Sequence, residues 1–202
     1  MRITQFSPQL FSKIFVTGLT TIAMIAVNSA TFSPNAQAQV PAGEYRIQSN
    51  NQIFFYPANG GNPVVVYNAG GKATHIVRYG GAIYTAFQGG SIYRSPDGQN
   101  LGGGGRTTKV YPLSATVSTM LVCQNALFVA FKGGYIYRSP DGQNLGGGGN
   151  TASVYRGNGE VQRMTCTNRN SVITSFVGGQ TYESPDGLNL GGGGNTQKVG
   201  GN

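Results

Sequence analysis

The chain is poor in charge and in the side chains on which most enzymes depend. Of its 202 residues, 6 are acidic, 1 is histidine, 2 are cysteine and none is tryptophan. Charged residues make up 10% of the chain, whereas about a quarter is usual in soluble domains. Because helices rely on charged and other unbranched helix formers, this scarcity excludes an all-helical protein, a coiled coil and a charged disordered tail. Glycine is abundant, at 33 residues without a period of three, so the composition predicts a small, basic, glycine-rich β protein rather than collagen.

A long apolar run is also lacking, and the one near the N-terminus extends only from Ile14 to Val27. A bilayer span needs about 20 apolar residues. The basic residues Arg2 and Lys13 precede this segment, and Ala36-Gln37-Ala38 follows it, a pattern typical of a secretory signal peptide. We therefore predict a signal peptide over residues 1–38, cleaved after Ala38. Residues 39–202 then form a periplasmic or extracellular protein without a transmembrane anchor, the alternative being an N-terminal membrane anchor.

One segment of the sequence occurs three times. Residues 93–105 read YRSPDGQNLGGGG, residues 137–149 are identical to them, and residues 182–194 read YESPDGLNLGGGG. The copies start 44 and 45 residues apart, a spacing typical of repeat folds. A more diverged copy, the worn unit, precedes them and has neither SPDG nor the glycine run. We predict repeat units over residues 45–71, 72–115, 116–159 and 160–202, all approximate.

Each unit divides into four short strands. In the second full unit these are Val117–Gln124, Ala126–Phe131, Tyr135–Ser139 and Ala152–Arg156. Neither face of the second strand carries a charge, and the side chains are large on one face and smaller on the other. This indicates a sheet packed between two neighbouring sheets rather than one with a solvent-exposed face. We predict an all-β, propeller-like ring of about four four-stranded antiparallel blades. The worn unit lacks an obvious innermost strand, and a β-trefoil is the alternative fold.

The turn in each full unit resembles the Asp box, S-x-D-x-G, of sialidase-like repeat propellers. The turn residues are Ser95, Asp97 and Gly98; Ser139, Asp141 and Gly142; and Ser184, Asp186 and Gly187, of which the serine and the aspartate match the box. The glycine comes one place early, so Gln143 stands at the position of the box glycine. The resemblance implies a propeller whose SPDG residues serve as structural turns. The whole repeat also resembles poorly characterised exported repeat proteins of bacteria, cyanobacteria in particular.

The residues that catalysis, metal binding and nucleic-acid binding require are not grouped. Glycosidases use two carboxylates about 5–9 Å apart, but Asp97, Asp141 and Asp186 occupy equivalent positions in separate blades. Two cysteines and His75 are too few for a zinc site, and the basic residues form no run of the kind that binds nucleic acid. We predict that the protein is not an enzyme and has no cofactor, metal or nucleic-acid partner.

The repeats instead favour binding at repeated surface sites. The candidate ligand-binding residues are Tyr93, Asn100, Tyr137, Asn144, Tyr182 and Asn189. Tyrosine rings stack on sugars and asparagine amides bond to hydroxyl groups. The leading hypothesis is a non-catalytic recognition module for glycans or cell-envelope components. The alternative is a protein-binding or structural scaffold of the periplasm or envelope.

The two cysteines belong to the first strands of adjacent units. Cys123 and Cys166 are offset by two residues from the repeat period, so they point to the same face of their strands. Innermost strands converge near a propeller axis, and export permits disulfide formation. A Cys123–Cys166 disulfide is therefore one hypothesis, and two small buried thiols are the other.

Overall fold

The computed structural model describes residues 39–201, so the predicted signal peptide and its cleavage site at Ala38 lie outside the described residues. This part of the chain contains fifteen β-strands. They are β1 Gly43–Ile47, β2 Ile53–Pro57, β3 Val64–Tyr67, β4 Ala73–Tyr79, β5 Ala82–Phe87, β6 Ile92–Ser95, β7 Thr108–Tyr111, β8 Val117–Cys123, β9 Ala126–Phe131, β10 Tyr135–Ser139, β11 Ala152–Arg156, β12 Val161–Cys166, β13 Val172–Phe176, β14 Thr181–Ser184 and β15 Gln197–Gly200.

Consecutive strands pair antiparallel to form four separate sheets. Sheet 1 contains β1–β3, sheet 2 contains β4–β7, sheet 3 contains β8–β11 and sheet 4 contains β12–β15. In sheet 3 the observed β9, β10 and β11 have the predicted bounds, and β8 ends one residue earlier than predicted. The all-β, propeller-like fold is therefore confirmed, and the β-trefoil alternative is wrong.

Sheet 1 has three strands because it lacks the innermost one. Ile53 pairs with Tyr67 as Ile92 pairs with Tyr111 in sheet 2, so β2 and β3 are equivalent to β6 and β7. The strand β1 is then equivalent to β5, the second strand of sheet 2. This unit has no obvious innermost strand in the sequence either. The C-terminal strand β15 pairs with β14, so it completes sheet 4 and leaves sheet 1 with three strands.

The sheets pack face to face in chain order, with a hydrophobic cluster at each of the three junctions. All six residues of β5 and of β9 are buried. In β9 the face with Phe131 packs against sheet 2, and the face with Phe128 packs against sheet 4. Successive side chains of a strand point to opposite faces, which is why a sheet between two neighbours has no polar face.

The two terminal faces of this series are more polar than the faces at the junctions. In β1, Glu44 and Arg46 form an ion pair of 2.6 Å, with side chains 61% and 55% exposed. In β13, Ile173 and Ser175 occupy the places of a phenylalanine and an alanine in β9. Within residues 39–201, β1 packs beside β4, and the innermost strands β4, β8 and β12 pack in that order, whereas β12 and β1 share no comparable interface. The four sheets therefore form a propeller-like arc whose two ends are exposed.

Candidate binding grooves between the sheets

Each junction contains an aromatic side chain inserted beneath the SPDG turn of the next sheet. These inner aromatics are Tyr45, Tyr84 and Phe128, and the glycines that face them are Gly98, Gly142 and Gly187. A Cβ atom on Gly142 would overlap the Tyr84 hydroxyl group, and one on Gly187 would lie 2.9 Å from Cζ of Phe128. The glycine of SPDG is therefore an interface residue as well as a turn residue.

We expect Gly142→Ala to lower the free energy of unfolding more than Gly148→Ala does. Both glycines have positive φ, +68° and +92°, where an alanine is strained by about 1–2 kcal/mol. Only at Gly142 does the new methyl group meet a neighbour, Tyr84. Such overpacking lowers the free energy of unfolding by about a further 1–3 kcal/mol. Urea unfolding of the two variants measures the difference, and equal stabilities would contradict the contact.

The SPDG residues bond among themselves. The Ser139 hydroxyl lies 3.0 Å from the Asp141 carboxylate and 2.9 Å from the Gln143 carbonyl oxygen. The main-chain N–H of Gln143 donates to Asp141 over 2.9 Å, and this bond, with those from Ser139 and Asn150, lowers the pKa of Asp141. Equivalent bonds join Ser95 to Asp97 and Ser184 to Asp186. In this arrangement the carboxylates hold the turn closed.

The tyrosines singled out by the sequence lie within the junctions. Tyr93, Tyr137 and Tyr182 contact Phe87, Phe131 and Phe176 edge-on, with ring centroids 5.7, 6.0 and 5.9 Å apart. The glycine run covers each ring from another side, since a Cβ atom on Gly147 would lie 3.2 Å from Cε1 of Tyr137. These rings therefore contribute to packing between strand and loop.

The three asparagines lie in the glycine loops. Asn100 and Asn144 adopt φ of +49° and +48°, a left-handed conformation that asparagine tolerates. The amide nitrogen of Asn144 would lie 2.9 Å from a Cβ atom on Gly149. Asn100 and Asn189 also line surface grooves. The tyrosine that lines the groove with them is Tyr67 or Tyr155, which the sequence analysis did not select.

Sequence reasoning missed this second set of tyrosines. These outer aromatics are Tyr67, Tyr111 and Tyr155, whose rings lie 5.0, 4.5 and 4.8 Å from the same three phenylalanines of the next sheet. Each ring covers the first glycine of a run, and at Gly146 a Cβ atom would lie 2.6 Å from Tyr111. A Val-Tyr pair that recurs in three units could have revealed these tyrosines. The fourth unit has Val199-Gly200 at the same position.

Two equivalent surface grooves lie beside the outer strands β3 and β11. The first lies between sheets 1 and 2, is lined by residues 65–69, Asn100, Gly102 and Gly103, and has a volume of about 340 Å³. The second lies between sheets 3 and 4, is lined by residues 153–156, Leu188, Asn189, Gly191 and Gly192, and has a volume of about 500 Å³. Both open to solvent, and each is lined by an asparagine, a tyrosine and two glycines.

The junction between sheets 2 and 3 has a large apolar side chain next to the glycine run. Leu113 occupies the place that Ala69 has in the first groove, two residues after the outer aromatic. Its Cδ1 atom lies 3.8 Å from the Cβ position of Gly146, and its side chain is 59% exposed. Leu113 therefore lies beside Gly146, whose equivalents Gly102 and Gly191 line the two grooves.

The cysteines and the histidine lie on inner strands. Cys123 and Cys166 form a disulfide with Cα atoms 5.5 Å apart, which joins sheets 3 and 4. His75 in β4 is half-buried, and this burial lowers the pKa of its imidazole. Within residues 39–201, no three His, Cys, Asp or Glu side chains come together as a metal site would require. The same region has no helix of the length and hydropathy needed to cross a membrane.

The four antiparallel sheets and the repeated aromatic–glycine junctions define the class as an all-β repeat protein with a propeller-like fold. The solved structures that it resembles are of YCF48. YCF48 from Cyanidioschyzon merolae matches with a TM-score of 0.51 and 14% identity, over 76% of this chain and 54% of that chain. A structure of YCF48 bound to D1 peptide matches with a TM-score of 0.50 and 13% identity, over 73% of this chain and 49% of that chain.

This chain thus spans about half the length of the solved structures that it matches. At this level of identity the likeness shows the fold alone. No protein-family model matches the chain, and no curated sequence does. Any ligand must therefore be argued from the grooves of this chain.

Proposed function

We propose that the protein is an exported, non-catalytic binding module that holds extended segments of another protein in the grooves between its sheets. The observation that carries this proposal is the recurrence of a groove at two junctions, lined in both by the outer tyrosine, an asparagine and two glycines of the run. A repeat that preserves its packing residues also preserves any binding surface built from them. The conclusion corresponds to the protein-binding alternative of the sequence analysis.

The chemistry of the grooves suits a peptide. Glycine exposes main-chain N–H and C=O groups, and an extended peptide binds through main-chain hydrogen bonds together with pockets for alternate side chains. The aliphatic side chains Val65 and Leu188 lie at the surface and line the two grooves. Asn100 and Asn189 add amides that both donate and accept hydrogen bonds. The existence of a YCF48 structure with a bound peptide supports the proposal by analogy of fold.

The test is peptide display against the oxidised protein, followed by calorimetry with the selected peptides. Ala69→Leu copies Leu113 and fills the first groove, so we expect the number of bound peptides per protein to fall from two to one. Leu113→Ala is the matched opposite change, and we expect it to add a third site. A selected peptide whose stoichiometry is the same in both variants would show that the grooves are not the binding site.

Glycan binding, the leading hypothesis from the sequence, stays a prediction that the same variants address. A glycan array with the unmodified protein and Ala69→Leu distinguishes the two ligand classes. Sugar binding that Ala69→Leu weakens, with no peptide selected, would overturn the protein-binding proposal in favour of a lectin. A blank array together with two peptide sites is the result that we expect.

A further inference from the structure

The inner edge of β1 has no partner strand among the described residues. Hydrogen bonds from Ala58 to Ala42 and from Gln48 to Gln52 fix which main-chain groups of β1 face β2. Because these groups alternate along an antiparallel strand, the N–H and C=O groups of Tyr45 and Ile47 point to the opposite, inner edge. In residues 39–201, β1 pairs with β2 and with no other strand.

The other sheets fill this edge with a strand. In sheet 2, Tyr84 and Ala86 are equivalent to Tyr45 and Ile47 and pair with Val77 and His75 of the innermost strand β4. The same arrangement recurs between β9 and β8 and between β13 and β12. Sheet 1 is therefore one strand short at a place where three homologous sheets show how that strand binds.

The missing strand also leaves apolar side chains half-covered. Ile76 of β4 faces sheet 1 and is half-buried, whereas its equivalents Met120 and Met164 are 8% and 6% exposed. Ile47 is half-buried as well, while Ala86 at the equivalent place is fully buried. Tyr45, Ile47 and Ile76 thus form an apolar cleft beside the free edge of β1.

The neighbouring parts of the chain do not run along this edge. The Arg78 guanidinium donates to the carbonyl oxygens of Val40, Pro41 and Gly43, over 3.3, 2.8 and 3.3 Å. This holds the segment before β1 against sheet 2. The C-terminal strand β15 is paired in sheet 4.

A second copy of the chain does not suit the edge either. If the β1 edges of two copies paired antiparallel, a two-fold axis perpendicular to the joined sheet would relate the copies. Sheet 2 of each copy would then lie on the same side of the joined sheet. The strand β4 packs beside β1. Because sheet 1 lacks an innermost strand, β4 projects past the free edge of β1. Two copies would therefore bring two β4 strands to the same place, whereas a single extended segment fits beneath one.

We propose that an extended segment of a partner protein adds to sheet 1 as a fourth, innermost strand, antiparallel to β1. Strand addition of this kind draws its affinity from main-chain hydrogen bonds and its specificity from alternate side chains. The segment would carry apolar residues at alternate positions, facing Ile76 and sheet 2. The intervening residues would be polar, because Glu44 and Arg46 project on that side. This site is separate from the grooves and does not depend on them.

The probe is a fluorescein-labelled synthetic peptide that copies residues 73–79, the innermost strand of sheet 2, with threonine in place of Ile76. In the register of β4 on β5, its equivalents of Val77 and Tyr79 face sheet 2, and the threonine lies on the polar side of β1. We expect saturable binding by fluorescence anisotropy. In amide exchange followed by NMR, the peptide should slow exchange at Tyr45 and Ile47 at least tenfold. Glu44 and Arg46 should not change, since their amides already pair with β2. Absence of binding, or protection at other strands, overturns the proposal.

Two matched controls separate strand addition from unspecific binding. Peptides N-methylated at the amides that face β1 should not bind, whereas those methylated at the alternate amides should bind normally. Ile47→Pro removes one edge N–H without touching the β1–β2 bonds and should weaken binding at least tenfold, while Ile47→Val should not. The peptide pair keeps the test decisive if Ile47→Pro fails to fold.

Two further results bear on the alternatives. Ala69→Leu should leave binding of this probe unchanged, so failure of the groove proposal and failure of strand addition are distinguishable. Slow exchange at Tyr45 and Ile47 in the free protein, with a mass that doubles as concentration rises, would show that a second copy covers the edge. That result would overturn the proposal.

Discussion

Replacing Phe128 with alanine is expected to lower the free energy of unfolding by about 3–5 kcal/mol, the usual cost of truncating a buried phenylalanine. Phe128 is fully buried between sheets 3 and 4. Its ring contacts the glycine of the next SPDG turn, Gly187, and lies 6.0 Å from the Arg138 guanidinium. The variant therefore loses core burial and the contact that holds the turn of sheet 4.

Urea unfolding followed by circular dichroism measures this loss. Val177→Ala is the control, because Val177 is 61% exposed and surface substitutions usually change stability by less than about 0.5 kcal/mol. If the two variants unfolded at the same urea concentration, the inner aromatics would not be the residues that join the sheets.

Removing the disulfide with the double variant Cys123→Ala/Cys166→Ala is expected to cost about 4 kcal/mol. The bond spans a sequence separation of 43 residues, and the chain-entropy model gives this value for a loop of that length. Because the bond joins β8 to β12, the loss should also increase amide exchange at the junction of sheets 3 and 4. Changing both cysteines avoids a reactive free thiol.

A thiol assay checks the premise of that prediction. Denatured, unreduced protein should return no free thiol, and the same protein after reduction should return two. Two thiols without reduction would show that Cys123 and Cys166 are separate buried side chains. Reduction of the unmodified protein should lower its stability by the same amount as the double variant.

The two end sheets of residues 39–201 differ from sheets 2 and 3 at the junction positions. Sheet 4 has Ile173 and Gly200 where inner sheets present an inner and an outer aromatic to the next sheet. Sheet 1 has neither an SPDG turn nor a glycine run to receive such rings. Terminal units of repeat arrays need polar outer faces to stay soluble, and Glu44 and Arg46 supply one. The sequence thus distinguishes the terminal units from the internal ones.

The ligand-binding hypothesis from the sequence chose residues of suitable type, but their surroundings depend on the neighbouring sheet. Tyr137 lies beside a glycine loop in sequence, which is also where a sugar-stacking tyrosine would be expected. In the structure its ring packs against Phe131 and Gly147. No local pattern distinguishes these cases, because the Phe131 ring beneath Tyr137 is held from the other side by Tyr111 of the preceding unit.

The sequence by itself determined the repeat, the strands within it and the propeller-like class. Period-2 patterning and turn residues such as Pro140 and Gly142 act locally, so they can be found without knowledge of tertiary contacts. The position of Tyr155 against Gly191, the grooves and the free edge of β1 were decided only by the tertiary structure. Each depends on which face of one sheet meets the next, and residues about 40 positions apart in the chain form that contact.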